Sequence, residues 1–168
     1  MECKLKIDDD VSGGIVYRIN KEGIHESQDV QSLFKDKRVV VFGGPAPFSR
    51  LDTQQAKEYA ESSIELIELG LDNVYGIYCQ DAFVMSEFDR RIKETHPAHK
   101  INFYADGDAF FIRAHQLEYN YTLQGLSVRS QRFAMVVKNC KIEHVVVDEY
   151  SVINGTASTK IIEWLKSQ

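Results

Sequence analysis

The run from Val39 to Phe42 constrains the fold most, because its residues are all apolar and mostly β-branched. A strand without polar alternation is typical of the centre of a sheet that helices cover on both faces. The run ends at Gly43-Gly44-Pro45, which forces a loop. An amphipathic helix pattern extends from about Leu51 to Leu69, where Gly70 supplies the stop. A buried strand followed directly by a helix indicates an α/β fold.

Further strand and helix patterns continue this alternation. The strand patterns lie at residues 73–79, 101–105, 133–137 and 142–147, and the helix patterns at residues 82–95, 109–115 and 158–166. The last two strands predict an antiparallel hairpin with its turn at Asn139 and Cys140. This order predicts a central mixed β-sheet flanked by helices, in a single domain over residues 1–168.

The segment before residue 39 carries weaker patterns. A short strand at residues 15–19 is expected at an edge of the sheet, and Ser27 is expected to cap a short helix at residues 28–34. Within the long helix, Ile64 belongs to the apolar stripe and is expected to be buried.

Charge and hydropathy exclude several classes of partner. The net charge is -5, and no Lys/Arg-rich run concentrates positive charge, which argues against nucleic acid and anionic membrane surfaces. No apolar run approaches the roughly 18 residues that a membrane span needs. The acidic Asp8-Asp9-Asp10 close to the start is unlike a secretory signal.

Cysteine usage bears on the compartment and on metal binding. Cys3, Cys79 and Cys140 are an odd number without motif spacing, which favours a reducing, cytoplasmic environment over a disulfide framework. The His96-Pro97-Ala98-His99 segment lacks a third metal ligand, and Asp106 is expected to cap the helix that follows it. We therefore expect neither a metal nor a cofactor.

Three segments, in order, resemble the type II, or atypical two-cysteine, peroxiredoxins of the redoxin group. The segment from Val40 to Asp52, VVFGGPAPFSRLD, is similar to the family pattern F-G-x-P-x-x-F-T-x-x-C. QDAFVM at residues 80–85 is similar to N-D-x-F-V-M, and GLSVRSQRFAMVV at residues 125–137 is similar to G-x-x-S-x-R-[FY]-x-M-V-V. The resemblance implies a thioredoxin-like fold, an antioxidant thiol peroxidase activity and a role in cell redox homeostasis.

The resemblance also assigns the family's active-site positions, and one of them departs from the pattern. It puts the peroxidatic cysteine at Asp52, the threonine at Ser49, and the family's proline and arginine at Pro45 and Arg132. A carboxylate is a poor nucleophile towards peroxide and cannot form a sulfenic acid. Ser49-x-x-Asp52 also matches a capping-box-like helix start, the structural interpretation of Asp52. The leading hypothesis is a peroxidase-inactive protein, a pseudoenzyme with a binding, regulatory or structural role.

Two alternatives remain open at this stage. One is an active peroxidase that uses Cys140 or Cys79 with a thioredoxin- or glutaredoxin-type reductant; Cys140 is expected to be exposed, with neighbouring lysines lowering its pKa. The other is an engineered Cys-to-Asp replacement in an active enzyme. Arg50 in place of a usual proline, and a shortened segment after Asp52, argue against a single designed change.

The resemblance further implies a homodimer. Its contacts would come from the loops running from Pro45 to Phe48 and from Asp81 to Val84. A separate hypothesis places a small polar or cationic ligand among Ser49, Asp52 and Arg132.

Overall fold

A computed structural model describes residues 1–168. The elements in chain order are β1 (Ile15–Ile19), β2 (His25–Asp29), α1 (Val30–Phe34), β3 (Arg38–Gly43), α2 (Arg50–Glu68), β4 (Asn73–Tyr78), α3 (Ala82–Thr95), β5 (Ile101–Ala105), α4 (Phe110–Ala114), β6 (Glu118–Asn120), β7 (Val128–Ser130), β8 (Arg132–Lys138), β9 (Lys141–Asp148) and α5 (Ser158–Lys166). A short 3₁₀ turn lies at Thr122–Gln124 between β6 and β7. None of the helices is long and apolar enough to cross a membrane.

Seven strands form one mixed sheet in the order β2-β1-β5-β4-β3-β8-β9. The central strands β3, β4 and β5 are parallel, and the strands outside them pair antiparallel. In β3, Val40 and Phe42 pack with α2, α3 and α5, whereas Val39 and Val41 pack with α1 and α4 on the opposite face. The expected mixed sheet with a doubly covered central strand is confirmed.

The boundaries of α2 and of the final hairpin follow from local signals. Gly70 adopts φ +102° directly beyond the end of α2, a conformation that glycine adopts without steric cost. Asn139 and Cys140 both have positive φ in the two-residue turn between β8 and β9, as a type I′ hairpin requires. At the other end of the hairpin, Arg132 begins β8 and pairs with Asp148 of β9.

The N-terminal expectations need correction. β1 lies between β2 and β5, so it is internal, and the polar β2 forms the edge of the sheet. Ser27 lies in β2 and does not cap a helix; α1 begins only at Val30. The alternating exposure of β2 explains the error, because a polar edge strand has no apolar period to reveal it.

The expectation that Ile64 is buried is also wrong. Ile64 is 48% exposed, since Ser63 and Leu66 define the buried face of α2 there.

Two histidines with low pKa values predict a pH dependence of stability. Burial lowers the pKa of His115, whose Nε2 donates to the Gly13 carbonyl, and desolvation lowers the pKa of His144, which stacks on Trp164. The unfolded chain therefore binds these protons more readily than the folded chain. We expect the free energy of unfolding to fall as the pH drops below about 6.5.

Urea denaturation between about pH 7.5 and 5.5, roughly one unit on either side of the ordinary histidine pKa, measures this effect. The double variant His115→Gln, His144→Gln should show a shallower pH slope than the wild type. His96→Gln, on a surface loop, is the matched control and should keep the wild-type slope. An unchanged slope in the double variant would contradict the assignment.

Candidate functional site

The loop between β3 and α2 places a helix N-terminus at the carboxyl end of the central strand. Ser49 is the N-cap of α2, with an extended backbone, and its Oγ accepts from the Asp52 N–H at 3.2 Å. This is the capping start that the Ser49-x-x-Asp52 spacing predicts. Asp52 consequently lies in the first turn, where the helix dipole favours a negative charge.

The Asp52 carboxylate is fully buried and both of its oxygens are engaged. Oδ2 accepts from the Ala46 N–H and from the Ser49 hydroxyl, each at 3.0 Å. Oδ1 accepts from Arg132 Nη1 at 2.9 Å, and Arg132 is itself 1% exposed. The structure thus brings together Ser49, Asp52 and Arg132 as the sequence predicts.

Opposing effects act on the protonation of this carboxyl. Burial raises the pKa of Asp52 above its ordinary value, and the Arg132 guanidinium, the Ala46 N–H and the Ser49 hydroxyl offset part of that rise. A protonated carboxyl would have to donate a hydrogen bond, and two of its three partners, the Ala46 N–H and Arg132 Nη1, can only donate. The arrangement therefore fits an ionised Asp52 paired with Arg132.

Pro45 contributes to the site through the backbone. Its carbonyl accepts from Arg129 Nη1 at 3.0 Å, which holds the loop against the segment before β8. With its amide oxygen turned towards Arg129, Gln80 accepts from the same guanidinium at 2.9 and 3.2 Å. Arg129 therefore joins the Pro45 loop to the loop before α3. No local pattern in the sequence indicates this role of Arg129, although the residue lies inside the third segment that resembles the family.

The Asp52 carboxylate leaves no room for a side chain at position 44, so this position requires glycine. A Cβ built on Gly44 would lie 1.8 Å from Asp52 Oδ1 and 3.1 Å from Arg132 Nη1. No side chain fits at this position while Asp52 keeps its partners, because a buried pair with 0% and 1% exposure has no room to move aside.

Gly44→Ala is therefore expected to lower the free energy of unfolding by roughly 1–3 kcal/mol, the usual cost of overpacking a core. Gly107→Ala is the matched control, because its Cβ would meet its nearest neighbour, the Gln80 carbonyl oxygen, at an ordinary 3.5 Å. Urea denaturation of both variants provides the comparison. Equal stability losses in the two variants would show that the carboxylate does not restrict Gly44.

The pair of Asp52 and Arg132 is closed to solvent, whereas Ser49 is partly exposed. Five of the eight cavities, with volumes of about 300–540 Å³, are lined by other residues. A small polar or cationic ligand at Ser49, Asp52 and Arg132 stays a prediction, and it would have to displace the carboxylate from its donors. No three His, Cys, Asp or Glu side chains are grouped as a metal site.

Phe48 and Phe83 present aromatic surface to solvent. Phe48 has φ +71° directly before the N-cap, and its ring packs edge-on against Phe88 with centroids 5.2 Å apart. It remains 40% exposed, and Phe83, in the first turn of α3, is 62% exposed. Asp81 caps α3 by accepting from the Val84 N–H at 2.8 Å. Both loops expected to form the dimer contact thus carry an exposed phenylalanine.

The surroundings of Cys79 and Cys140 bear on the alternative of an active peroxidase that uses one of these thiols. Burial raises the pKa of Cys79, which is partly exposed beside Val128. Cys140 is only 7% exposed, so the expectation of an exposed thiol is wrong. The N-terminal segment covers it, and Val11 N–H donates to the Cys140 carbonyl at 2.9 Å. Burial, together with nearby carboxylates, raises the pKa of Cys140, the opposite of the expected lysine effect.

Asp106 has the capping role that the sequence predicts. Its carboxylate oxygens accept from the backbone N–H groups of Phe111 and Ile112, each at 3.0 Å. The turn around Asp106 is therefore satisfied within the chain.

No family model matches the chain. It is 28% identical to Peroxiredoxin-2B of Arabidopsis thaliana over 163 residues, which are 96% of this chain and 98% of that protein. It is 28% identical to Peroxiredoxin-2C of Oryza sativa over 138 residues, 81% of this chain and 83% of that protein.

Solved structures also resemble this chain. Reduced Prx3 of Vibrio vulnificus in complex with H2O2 is 27% identical and superposes with a TM-score of 0.86, over 96% of this chain and 99% of that chain. Peroxiredoxin 5 of Alvinella pompejana is 22% identical, with a TM-score of 0.83 over 98% and 99% of the two chains. The chain therefore has the thioredoxin-like fold expected from its sequence.

Proposed function

Since the chain is homologous to the peroxiredoxins and has their thioredoxin-like fold, we propose that it is a member of this family that does not reduce peroxide. Asp52 occupies the position of the peroxidatic cysteine. The protein acts instead through a binding, regulatory or structural role. The observation that supports this most is the complete engagement of the buried Asp52 carboxylate by Ala46, Ser49 and Arg132.

The chemistry of the site gives a reason for the proposed absence of peroxide reduction. A helix N-terminus and a neighbouring guanidinium lower the pKa of a thiol, and hydroxyl and guanidinium donors stabilise charge on a reacting peroxide. In this chain those donors are already bound to Asp52, which has no sulfur to oxidise. Peroxide therefore finds no nucleophile at this position, and the Ala46 N–H, the Ser49 hydroxyl and Arg132 Nη1 are already engaged by the carboxylate.

Hydrogen peroxide consumption tests the proposal. The wild-type protein is assayed with thioredoxin, glutaredoxin or glutathione as reductant, and each rate is compared with the same mixture without the protein. We expect no difference. A rate that grows in proportion to the protein concentration would overturn the proposal.

An active peroxidase that uses Cys79 or Cys140 is the alternative, and the raised pKa of both thiols lowers the thiolate fraction that it needs. If the wild type does consume peroxide, the single variants Cys3→Ser, Cys79→Ser and Cys140→Ser identify the source. Loss of activity in Cys79→Ser alone or in Cys140→Ser alone would establish this alternative.

Under the same proposal the protein forms a homodimer through the loops from Pro45 to Phe48 and from Asp81 to Val84. Phe83→Glu should then give a monomer in light scattering at micromolar concentration, because it places a charge in an apolar contact. Ile64→Glu is the matched control, since Ile64 is also exposed but lies near the other end of α2. A wild-type protein that is monomeric would remove the homodimer from the proposal.

The proposed compartment is the cytoplasm. One relative at 27% identity is named a mitochondrial peroxiredoxin, so fractionation of cells that express the native gene is the appropriate test. Recovery with mitochondria would contradict this part of the proposal.

A further inference from the structure

Hydrogen bonds continue from Asp52 through the core to the C-terminal loop, residues 149–157, which connects β9 with α5. Arg132 Nη1 donates both to Asp52 Oδ1 and to Gln55 Oε1, each at 2.9 Å. Gln55 Nε2 donates to Thr156 Oγ1, also at 2.9 Å. Gln55 and Thr156 are fully buried, so this chain of bonds is shielded from water.

Thr156 is the point at which the C-terminal loop is fixed. Its hydroxyl donates to Asp148 Oδ2 at 2.6 Å, and its carbonyl accepts from the Tyr59 hydroxyl at 2.7 Å. The Asp148 carboxylate also accepts from the consecutive N–H groups of Asn154, Gly155 and Thr156 at 2.7, 3.1 and 3.0 Å. The conformation of the loop therefore depends on side chains that lie in the core.

Gln55 is the residue that joins the two halves of the network. Asp52, Gln55 and Tyr59 follow one another on one face of α2, at the i, i+3 and i+7 spacing. The Gln55 amide uses its oxygen towards Arg132 and its nitrogen towards Thr156. Neither a glutamate nor an apolar side chain can make both bonds, because the first lacks the donor and the second lacks both groups.

We infer that Gln55 is a positioning residue that couples the charge on residue 52 to the order of the C-terminal loop. Without that charge, Gln55 Oε1 becomes the principal acceptor for the buried Arg132 guanidinium. The guanidinium then shifts the Gln55 amide, and the bond to Thr156 weakens. The coupling is reciprocal, so opening of the loop also loosens Arg132 from Asp52. This inference goes beyond the proposed function and does not require the loss of peroxidase activity.

Amide hydrogen exchange at Asn154, Gly155 and Thr156 tests the coupling in a double-mutant cycle. Asp52→Asn keeps the shape of the side chain and removes its charge, and we expect it to accelerate exchange about tenfold, equivalent to about 1.4 kcal/mol. In a Gln55→Leu background the same change should have less than about a twofold effect. Amides of the β3–β8 ladder serve as the reference for global stability.

Gln54→Leu is the matched control, because Gln54 is exposed and its side chain bonds only to Glu58. In that background Asp52→Asn should keep its tenfold effect. Equal acceleration in the Gln54→Leu and Gln55→Leu backgrounds would overturn the inference, as would no acceleration by Asp52→Asn in the wild type.

Thr156→Val provides a second test if Gln55→Leu does not fold. It removes the hydroxyl that Gln55 binds and preserves the size of the side chain. The ¹³C signal of the Asp52 carboxyl should then shift, whereas Gln54→Leu should leave it unchanged. An unmoved carboxyl signal in Thr156→Val would contradict the coupling. Peroxide consumption is not measured in either test, so their failure is separate from failure of the proposed function.

Discussion

Asp52→Cys is expected to give the protein a peroxide-reducing activity that, under the proposed function, the wild type does not have. The substitution places a thiol at a helix N-terminus beside the Ser49 hydroxyl, the Ala46 N–H and the Arg132 guanidinium. These groups lower the pKa of a thiol and can then bind the peroxide, because the carboxylate no longer engages them. The thiolate attacks one peroxide oxygen and the O–O bond breaks, which yields a sulfenic acid, and the other oxygen leaves as hydroxide, which takes up a proton from solvent to become water.

The hydrogen-bond donors around residue 52 set a lower bound on the expected increase in the rate at which this thiol reacts with peroxide. Each donor that stabilises charge in a transition state contributes roughly 10²–10³ in rate, so peroxide should react with this thiol at least that much faster than with a free cysteine. Turnover further needs an external thiol to reduce the sulfenic acid. Asp52→Ser is the matched control, since it is similarly small but lacks sulfur, and it should stay inactive. A thiol at position 52 that reacts no faster than free cysteine would show that the donors are not arranged for peroxide.

Asp52→Ala is expected to lower the free energy of unfolding by about 3–5 kcal/mol, because it leaves a buried guanidinium without its counter-ion. Arg132 is 1% exposed, and its Nε has no hydrogen-bond partner, so the guanidinium depends on Asp52 and Gln55. Replacing both members of the pair, as Asp52→Ala with Arg132→Met, should restore part of the loss, since no buried charge remains.

The pair between Arg38 and Glu143 provides the control for this stability prediction. Its N–O distance is 2.8 Å, but its side chains are 28% and 29% exposed. Glu143→Ala should therefore cost only about 0–1 kcal/mol in urea denaturation. If Asp52→Ala costs no more than Glu143→Ala, then Asp52 is not the counter-ion on which Arg132 depends.

The parts of the fold that the sequence predicts are those with a strong local signal. The uninterrupted apolar run of β3, the amphipathic period of α2 and the glycine that ends it each specify their element without tertiary information. β2 lacks such a signal, because all five residues of this edge strand are polar and they alternate between full and partial exposure. Burial of Cys140 depends on contact with Val11, 129 positions earlier by their numbers, which no local pattern reveals.

In the candidate site, too, the sequence predicts the contacts between nearby residues but not those between distant ones. Ser49 and Asp52 are three residues apart, so their capping contact follows from spacing alone. Arg132 is 80 residues from Asp52, and only the family resemblance indicated that the two would meet. The bonds of Gln55 to Arg132 and Thr156 span 77 and 101 residues. No periodicity or family pattern in the sequence indicated those bonds, and three-dimensional packing was needed to find them.

The central claim is that residue 52 alone decides whether this site reduces peroxide. The most direct measurement is stopped-flow consumption of hydrogen peroxide by a background in which Cys3, Cys79 and Cys140 are all replaced by serine, with and without Asp52→Cys. The account predicts no reaction above the blank for the cysteine-free chain and rapid consumption once Asp52→Cys is added. Equal consumption by the two proteins, or robust turnover by the cysteine-free chain, would contradict it.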